Sequence, residues 1–279
     1  MSENTPGRSP EDIQEMGLKT LVESGSFKFT DTFFPYTSGQ IGPYFVNSEN
    51  VSGNAVTYRN ALNLMDDRIR ARLTPDELDR IDGISGGESR DWVFSYSIAD
   101  RLKKAHLAIY KDGKTFGLPI KNKTFIHVAD LNNEGSSPEK MWIPIIRKNN
   151  GGIRYIFFYV DRLEDGVEAM KRLHLDSNSV VPLNERAWNK LKEYGVVNEV
   201  IYGNLRARME DKDVWARAML RSEKGIERCW ELAQDPKSSD KIKKVLKEGY
   251  PDMYDEIMCR LKEKFGSDEV ISLMAGMKK

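Results

Sequence analysis

Between Ile81 and Leu183, short apolar runs alternate with amphipathic stretches. The runs are "IDGISG" (81–86), "HLAIY" (106–110), "TFIHVAD" (124–130), "IRYIFFYV" (153–160) and "SVVPL" (179–183). Each has strand length and ends in glycine, proline or polar residues. Between them lie "RDWVFSYSIADRLKK" (90–104), "SPEKMWIPIIRKNNG" (137–151) and "LEDGVEAMKRL" (163–173), which read as helices. Pro138 suits the first turn of its helix, and Pro144 predicts a bend. The stretch 111–123, "KDGKTFGLPIKNK", reads as a basic loop. Alternation of this kind predicts an α/β core: a mainly parallel, five-stranded sheet with helices on both faces. Ligands of such sheets bind beyond the carboxyl ends of the strands.

The flanks differ. "PEDIQEMGLKTLVESG" (10–25) has helical spacing with Gly25 as a stop, and "YRNALNLMDDRIRARL" (58–73) places Leu62, Met65, Ile69 and Leu73 on one face. "SFKFTDTFFPYTSGQIGPYFVNS" (26–48) is aromatic and punctuated by Gly and Pro, which predicts two short strands or extended arms around a Ser-Gly turn. After about residue 200 the strand signal stops. Helices are predicted at 215–234, 238–249, 250–266 and 267–276, with Ser239 and Ser267 as N-caps and Gly249 and Gly266 as stops. Trp188, Trp215 and Trp230 are expected in the core. The division this implies is an N-terminal helix and aromatic hood (1–50), the α/β core (51–200) and a helical C-terminal extension (201–279).

Charge excludes some partners. The 279 residues carry 43 basic and 43 acidic side chains. That balance leaves no footprint for nucleic acid or an anionic membrane. No run approaches the length of a membrane-spanning helix, and the first residues lack the apolar segment of a secretory signal. The two cysteines, Cys229 and Cys259, are therefore expected as reduced thiols in a cytoplasmic protein. His106, His127 and His174 stand far apart with no partner at ligand spacing, so they read as structural or surface residues and no metal site is expected.

The most informative stretch is "TFIHVADLNNEGSS" (124–137), where a buried strand breaks into a polar, glycine-containing loop. A small-residue loop opening a helix offers backbone N–H groups to a phosphate. Asp130 and Glu134 are unusual company for one.

Four segments together resemble the orotate phosphoribosyltransferase family, in the family's order. "FFPYTSGQIGPYFVN" (33–47) looks like its aromatic arm, and "GGESRDWVFS" (86–95) like its pyrophosphate loop. "HVADLNNEGSS" (127–137) is similar to its phosphoribosyl-pyrophosphate motif, and "YVDRLEDG" (159–166) to its Leu-Asp-Arg segment. The resemblance covers about residues 20–200 and implies a type I phosphoribosyltransferase-like core. It also implies transfer of the phosphoribosyl group of phosphoribosyl pyrophosphate to an orotate-like base. Magnesium would be bound through the substrate, and a homodimer is implied.

Carried over residue by residue, the resemblance makes Asp130 the ribose carboxylate and Lys111 and Lys114 the remaining catalytic-loop lysines. Asn133, Glu134, Gly135, Ser136 and Ser137 form the 5′-phosphate loop. Ser89 and Arg90 face the pyrophosphate, while Arg162 and Phe45 face the base. Ser38, Gly39, Pro43 and Tyr44 match the rest of the arm.

Some positions depart from the family. Ala129 stands where the first acid of the ribose-binding pair belongs, Glu134 replaces a small residue, and Thr37 replaces a lysine. The 111–123 loop is short and lacks histidine. Two readings follow: a phosphoribosyltransferase, or a non-catalytic protein of the same fold that binds a nucleotide, a related ligand or a protein partner.

Overall fold

The computed structural model describes residues 8–275. In chain order it begins with α1 (Pro10–Glu23) and an antiparallel hairpin of β1 (Phe27–Pro35) and β2 (Ile41–Val46). A short 3-10 turn (Ser48–Gly53) leads to α2 (Ala55–Arg72), α3 (Pro75–Asp79), β3 (Gly83–Gly87), α4 (Trp92–Arg101), β4 (Ala105–Ile109) and β5 (Thr115–Gly117). Next come β6 (Thr124–Asn132), α5 (Ile143–Lys148), β7 (Gly152–Asp161), α6 (Asp165–Arg172), β8 (Asp176–Pro182) and α7 (Glu185–Glu193). The remainder is helical: α8 (Glu199–Glu210), α9 (Lys212–Arg221), α10 (Glu223–Gln234), α11 (Ser239–Lys244), α12 (Tyr254–Phe265) and α13 (Ser267–Ala275). Two compact units result. One holds the residues up to Ser26 and Asn47–Leu191; the other holds the hairpin, Phe27–Val46, and the chain from Lys192 onward.

In the first unit the sheet runs β5-β4-β3-β6-β7-β8. The five strands expected from the apolar runs are all present and mutually parallel. A sixth, β5, pairs antiparallel with β4 through Leu107↔Gly117 and Ile109↔Thr115. It lies inside the stretch expected to be a loop. All three of its residues are exposed, so no burial pattern announced it. β7 is buried along nearly its whole length, as a central parallel strand covered on both faces must be.

Local signals fix the surrounding helices. Ser9 caps α1 by accepting the Asp12 N–H at 3.1 Å, ahead of Pro10 in the first turn. Thr74 and Glu77 form a reciprocal capping box on α3. The helix expected over 137–151 starts at Ser136 and opens into a wide π turn at Pro138–Trp142 before α5. Pro144 thus falls at the start of α5, where its missing N–H costs nothing.

In the second unit Phe33 and Ile41 of the hairpin share a core with Trp215, Leu220, Ile226, Leu232, Ile242 and Ile257. Arg208 is buried there with its guanidinium 5.8 Å from the ring centroids of both Tyr36 and Trp215. Trp230 is partly buried and stacks on Phe265 at 4.8 Å. The single helix expected over 215–234 is two, because Ser222 leaves helical geometry and its hydroxyl caps α10 at the Gly225 N–H, 2.9 Å away. Ser238, not Ser239, precedes α11, and Ser267 is the first residue of α13 rather than its cap. Gly266 ends α12 at φ +94°. Both cysteines are free thiols.

Candidate functional site

The carboxyl ends of β3, β6 and β7 bring together most of the residues singled out in the sequence. β3 ends at Gly87, where a Cβ would lie 2.2 Å from the Trp142 indole. The strand end is therefore seated directly on the helix that follows the polar loop. The chain continues through a cis Glu88–Ser89 peptide to exposed Arg90, whose Nε lies 3.3 Å from Glu49.

Asp91 then turns back. One oxygen accepts the Gly87 N–H at 2.9 Å and the other accepts the Asp130 N–H at 3.2 Å. A single carboxylate thus ties the ends of two neighbouring strands.

Asp130 is buried, 7% exposed, and accepts the Ser48 hydroxyl at 3.0 Å. Burial, and next the charge of Asp91, push its carboxyl up to about 8, while Ser48 and Arg90 oppose the rise. On the same strand His127 is fully buried and shares a 3.0 Å hydrogen bond with Ser85 through Nδ1. Its Nε2 points at Asp91 from 3.4 Å and has no hydrogen-bond partner. Ala129 faces the other way, into an apolar cluster with Trp142, Ile143 and Met170.

The polar loop is held from β7. The Arg162 N–H donates to the Asn132 carbonyl at 3.0 Å, and the Gly166 N–H to the Asn133 carbonyl at 2.9 Å. The Asn132 amide donates to buried Asp161 at 3.2 Å, leaving the Asn132 Oδ1 without a partner. Burial raises the pKa of Asp161. Asn133 and Glu134 are half-buried, and Ser136 and Ser137 are exposed at the start of the helix.

Gly135 has φ +68°, and a Cβ there would sit 2.6 Å from that of Ala169. Gly135→Ala should therefore destabilise the protein by about 1–3 kcal/mol, through strain and the clash, while leaving the far helices intact. Chemical denaturation checks it; an unchanged midpoint would mean the loop tolerates another path.

Other singled-out residues stand apart from this cluster. Arg162 is 8% exposed and its guanidinium lies 3.0 Å from Glu164. Lys111 and Lys114 lie exposed in the β4–β5 turn, where Lys114 pairs with Asp112 at 2.6 Å. The Lys111 backbone N–H, 2.8 Å from Glu88, fastens that turn to the segment after β3. Phe45 belongs to the hairpin unit and meets Phe34 edge-on at 6.4 Å.

The sequence reading had not marked Asp91, His127, Ser85, Ser48, Asn132 or Asp161 as part of the site. An acid at a helix start normally signals a cap, which hid Asp91. The others are joined only by strand register.

Neither a family model nor a curated relative matches this chain. Solved structures do. UMP synthase from Leishmania donovani superposes with a TM-score of 0.62 at 16% identity over 71% of this chain. This chain covers only 42% of that one. Orotate phosphoribosyltransferase from Francisella tularensis gives 0.57 at 16% identity, covering 70% of this chain and 98% of that one. The enzyme of the same name from Aeropyrum pernix gives 0.53 at 23%, covering 64% and 99%. The fold is that of type I phosphoribosyltransferases.

Among the described residues, no helix is long and apolar enough to cross a membrane. No cluster of three or more His, Cys, Asp or Glu side chains there is arranged to hold a metal ion.

Proposed function

We propose that the protein is a phosphoribosyltransferase that takes phosphoribosyl pyrophosphate and an orotate-like, carboxylated base. The observation that carries this reading is the meeting of Asp130, the Gly87–Asp91 segment and the Gly135 turn at adjoining strand ends. In such a transfer the anomeric carbon passes through a state resembling a ribose oxocarbenium ion. The protein's work is then to hold the ribose and accommodate the departing pyrophosphate.

Asp130 meets the ribose hydroxyls, residues 133–137 wrap the 5′-phosphate, and Ser89 and Arg90 meet the pyrophosphate. Arg162 and Phe45 meet the base, Arg162 after leaving Glu164 for the ligand's carboxylate. Lys111 and Lys114 complete the set beside the leaving group. With no acidic cluster of its own, the chain fits magnesium that arrives on the pyrophosphate oxygens, where it shares their charge. A homodimer accompanies this reading, and a monomeric mass by light scattering at tens of micromolar would count against it.

Loss of orotate ultraviolet absorbance with phosphoribosyl pyrophosphate and magnesium tests the proposal, and turnover is the expected result. A second reading, ligand binding without transfer, is favoured by Ala129 in the apolar cluster and by Glu134 in the loop. Binding of phosphoribosyl pyrophosphate without any change in orotate would select it.

A further inference from the structure

Two carboxyl groups, a histidine and two serines form a continuous buried chain across the ends of β3 and β6. It runs Ser85, His127, Asp91, Asp130, Ser48. Ser85 and His127 are fully buried, and Asp91 and Asp130 are each 7% exposed. Side chains this costly to bury are normally satisfied in full. This set is not. The Nε2 of His127 faces Asp91 without a hydrogen bond. Each oxygen of Asp91 accepts one backbone N–H, leaving each with a second lone pair. Asp130 has one oxygen engaged with Ser48.

The order Ser–His–Asp resembles a nucleophile relay. However, Ser85 lies within a strand at zero exposure and also donates to the Ile126 carbonyl at 3.3 Å, so no substrate reaches it. The free acceptor capacity lies instead at the Asp91–Asp130 end. Two adjacent carboxyl groups that accept but do not donate when ionised suit a ligand presenting two adjacent hydroxyl donors.

We infer that Asp91 and Asp130 together grip the vicinal hydroxyls of a ribose, so that Asp91 is a ligand-contacting residue and not only a clamp between strands. This rests on the phosphoribosyl reading above and adds a residue to it. Ala129, the neighbour that might have carried the second carboxylate, points into the apolar cluster. The second acid is supplied from the start of α4, across the strand boundary.

The pair also sets the pH at which it works. The groups facing the Asp130 carboxyl are Asp91 and Arg90 from the α4 entry, and Glu49 and Ser48 from the 3-10 turn; His127 on its own strand faces Asp91. Asp91 raises the pKa of Asp130, so Asp130 is ionised, and accepts hydroxyls fully, only as pH passes about 8. Affinity for a diol should rise through that pH in the parent. Removing the Asp91 charge should move the midpoint down.

The experiment is calorimetric titration of the full chain with phosphoribosyl pyrophosphate and magnesium at a series of pH values, for the parent, Asp91→Asn and Asp91→Ser. Both variants keep a group able to accept a backbone N–H, and thermal melts establish that they fold. Affinity at high pH is expected to fall about tenfold or more in each, together with a lower pH midpoint. Weakened binding at an unchanged midpoint marks a merely structural clamp and overturns the inference. So does binding equal to the parent's, or the failure of both variants to fold. A parent that does not bind at any pH overturns the phosphoribosyl reading itself, and this inference with it.

Discussion

Asp130→Asn is expected to weaken binding of phosphoribosyl pyrophosphate with magnesium by about 10- to 100-fold, as loss of hydrogen bonds to a charged acceptor costs about 1.5–3 kcal/mol. The amide keeps the shape of the carboxyl and keeps an oxygen for the Ser48 hydroxyl, so the fold should survive. Stability should move the other way. The Asp130 carboxyl, at about 8 in the folded protein against a model value of 3.8, holds a proton that the unfolded chain has already released between those values. Wherever the folded state binds more protons, stability falls as pH rises. The parent's stability therefore declines between about pH 4 and pH 8 through this group, and the asparagine variant escapes that decline. Melting temperatures at about pH 5 and pH 9 should show the variant gaining on the parent by roughly 3 °C or more. Binding lost and alkaline stability gained is the signature of a group kept for a ligand. A variant that binds normally and melts in parallel with the parent at both pH values would remove Asp130 from the site.

How much of this was legible in the chain follows from what each feature depends on. Strands β3, β4, β6, β7 and β8 were readable because a strand buried on both faces must be an apolar run, whatever its neighbours. β5 was not, because Thr115, Phe116 and Gly117 are held only by hydrogen bonds to β4. The break between α9 and α10 was missed because the apolar spacing carries on across Ser222; only the Ser222–Gly225 pair betrays it. The polar loop was located correctly between β6 and its helix, since Gly135 and the serines declare a turn. The partners of Asp130 were hidden for a different reason. Ser48 and Asp91 are 82 and 39 positions away, and only the pairing of β3 with β6 brings Asp91 to it. Ala129 and Asp130, adjacent in sequence, part company because successive strand residues face opposite sides.

Glu134 is the residue whose removal should help. It sits half-buried between Asn133, whose carbonyl is tied to Gly166, and Gly135 in its left-handed conformation. It has no hydrogen bond or ion pair among the described residues. A carboxylate ahead of a helix gains about 0.3–1 kcal/mol from the N–H groups and dipole there. A phosphate bound by those same N–H groups would meet its charge at close range, and repulsion at 4 Å amounts to about 1–4 kcal/mol per charge pair at effective dielectric constants between those of water and a protein surface. The second quantity exceeds the first. Glu134→Ala should therefore lose a little stability and bind phosphoribosyl pyrophosphate about tenfold more tightly or better, with the gain shrinking as salt screens the charge. Calorimetric titration at low and high ionic strength reads both effects. If the alanine variant instead loses binding, the carboxylate accepts a donor from the ligand. The loop would then hold something other than a phosphate, and phosphoribosyl pyrophosphate would be the wrong ligand for this site.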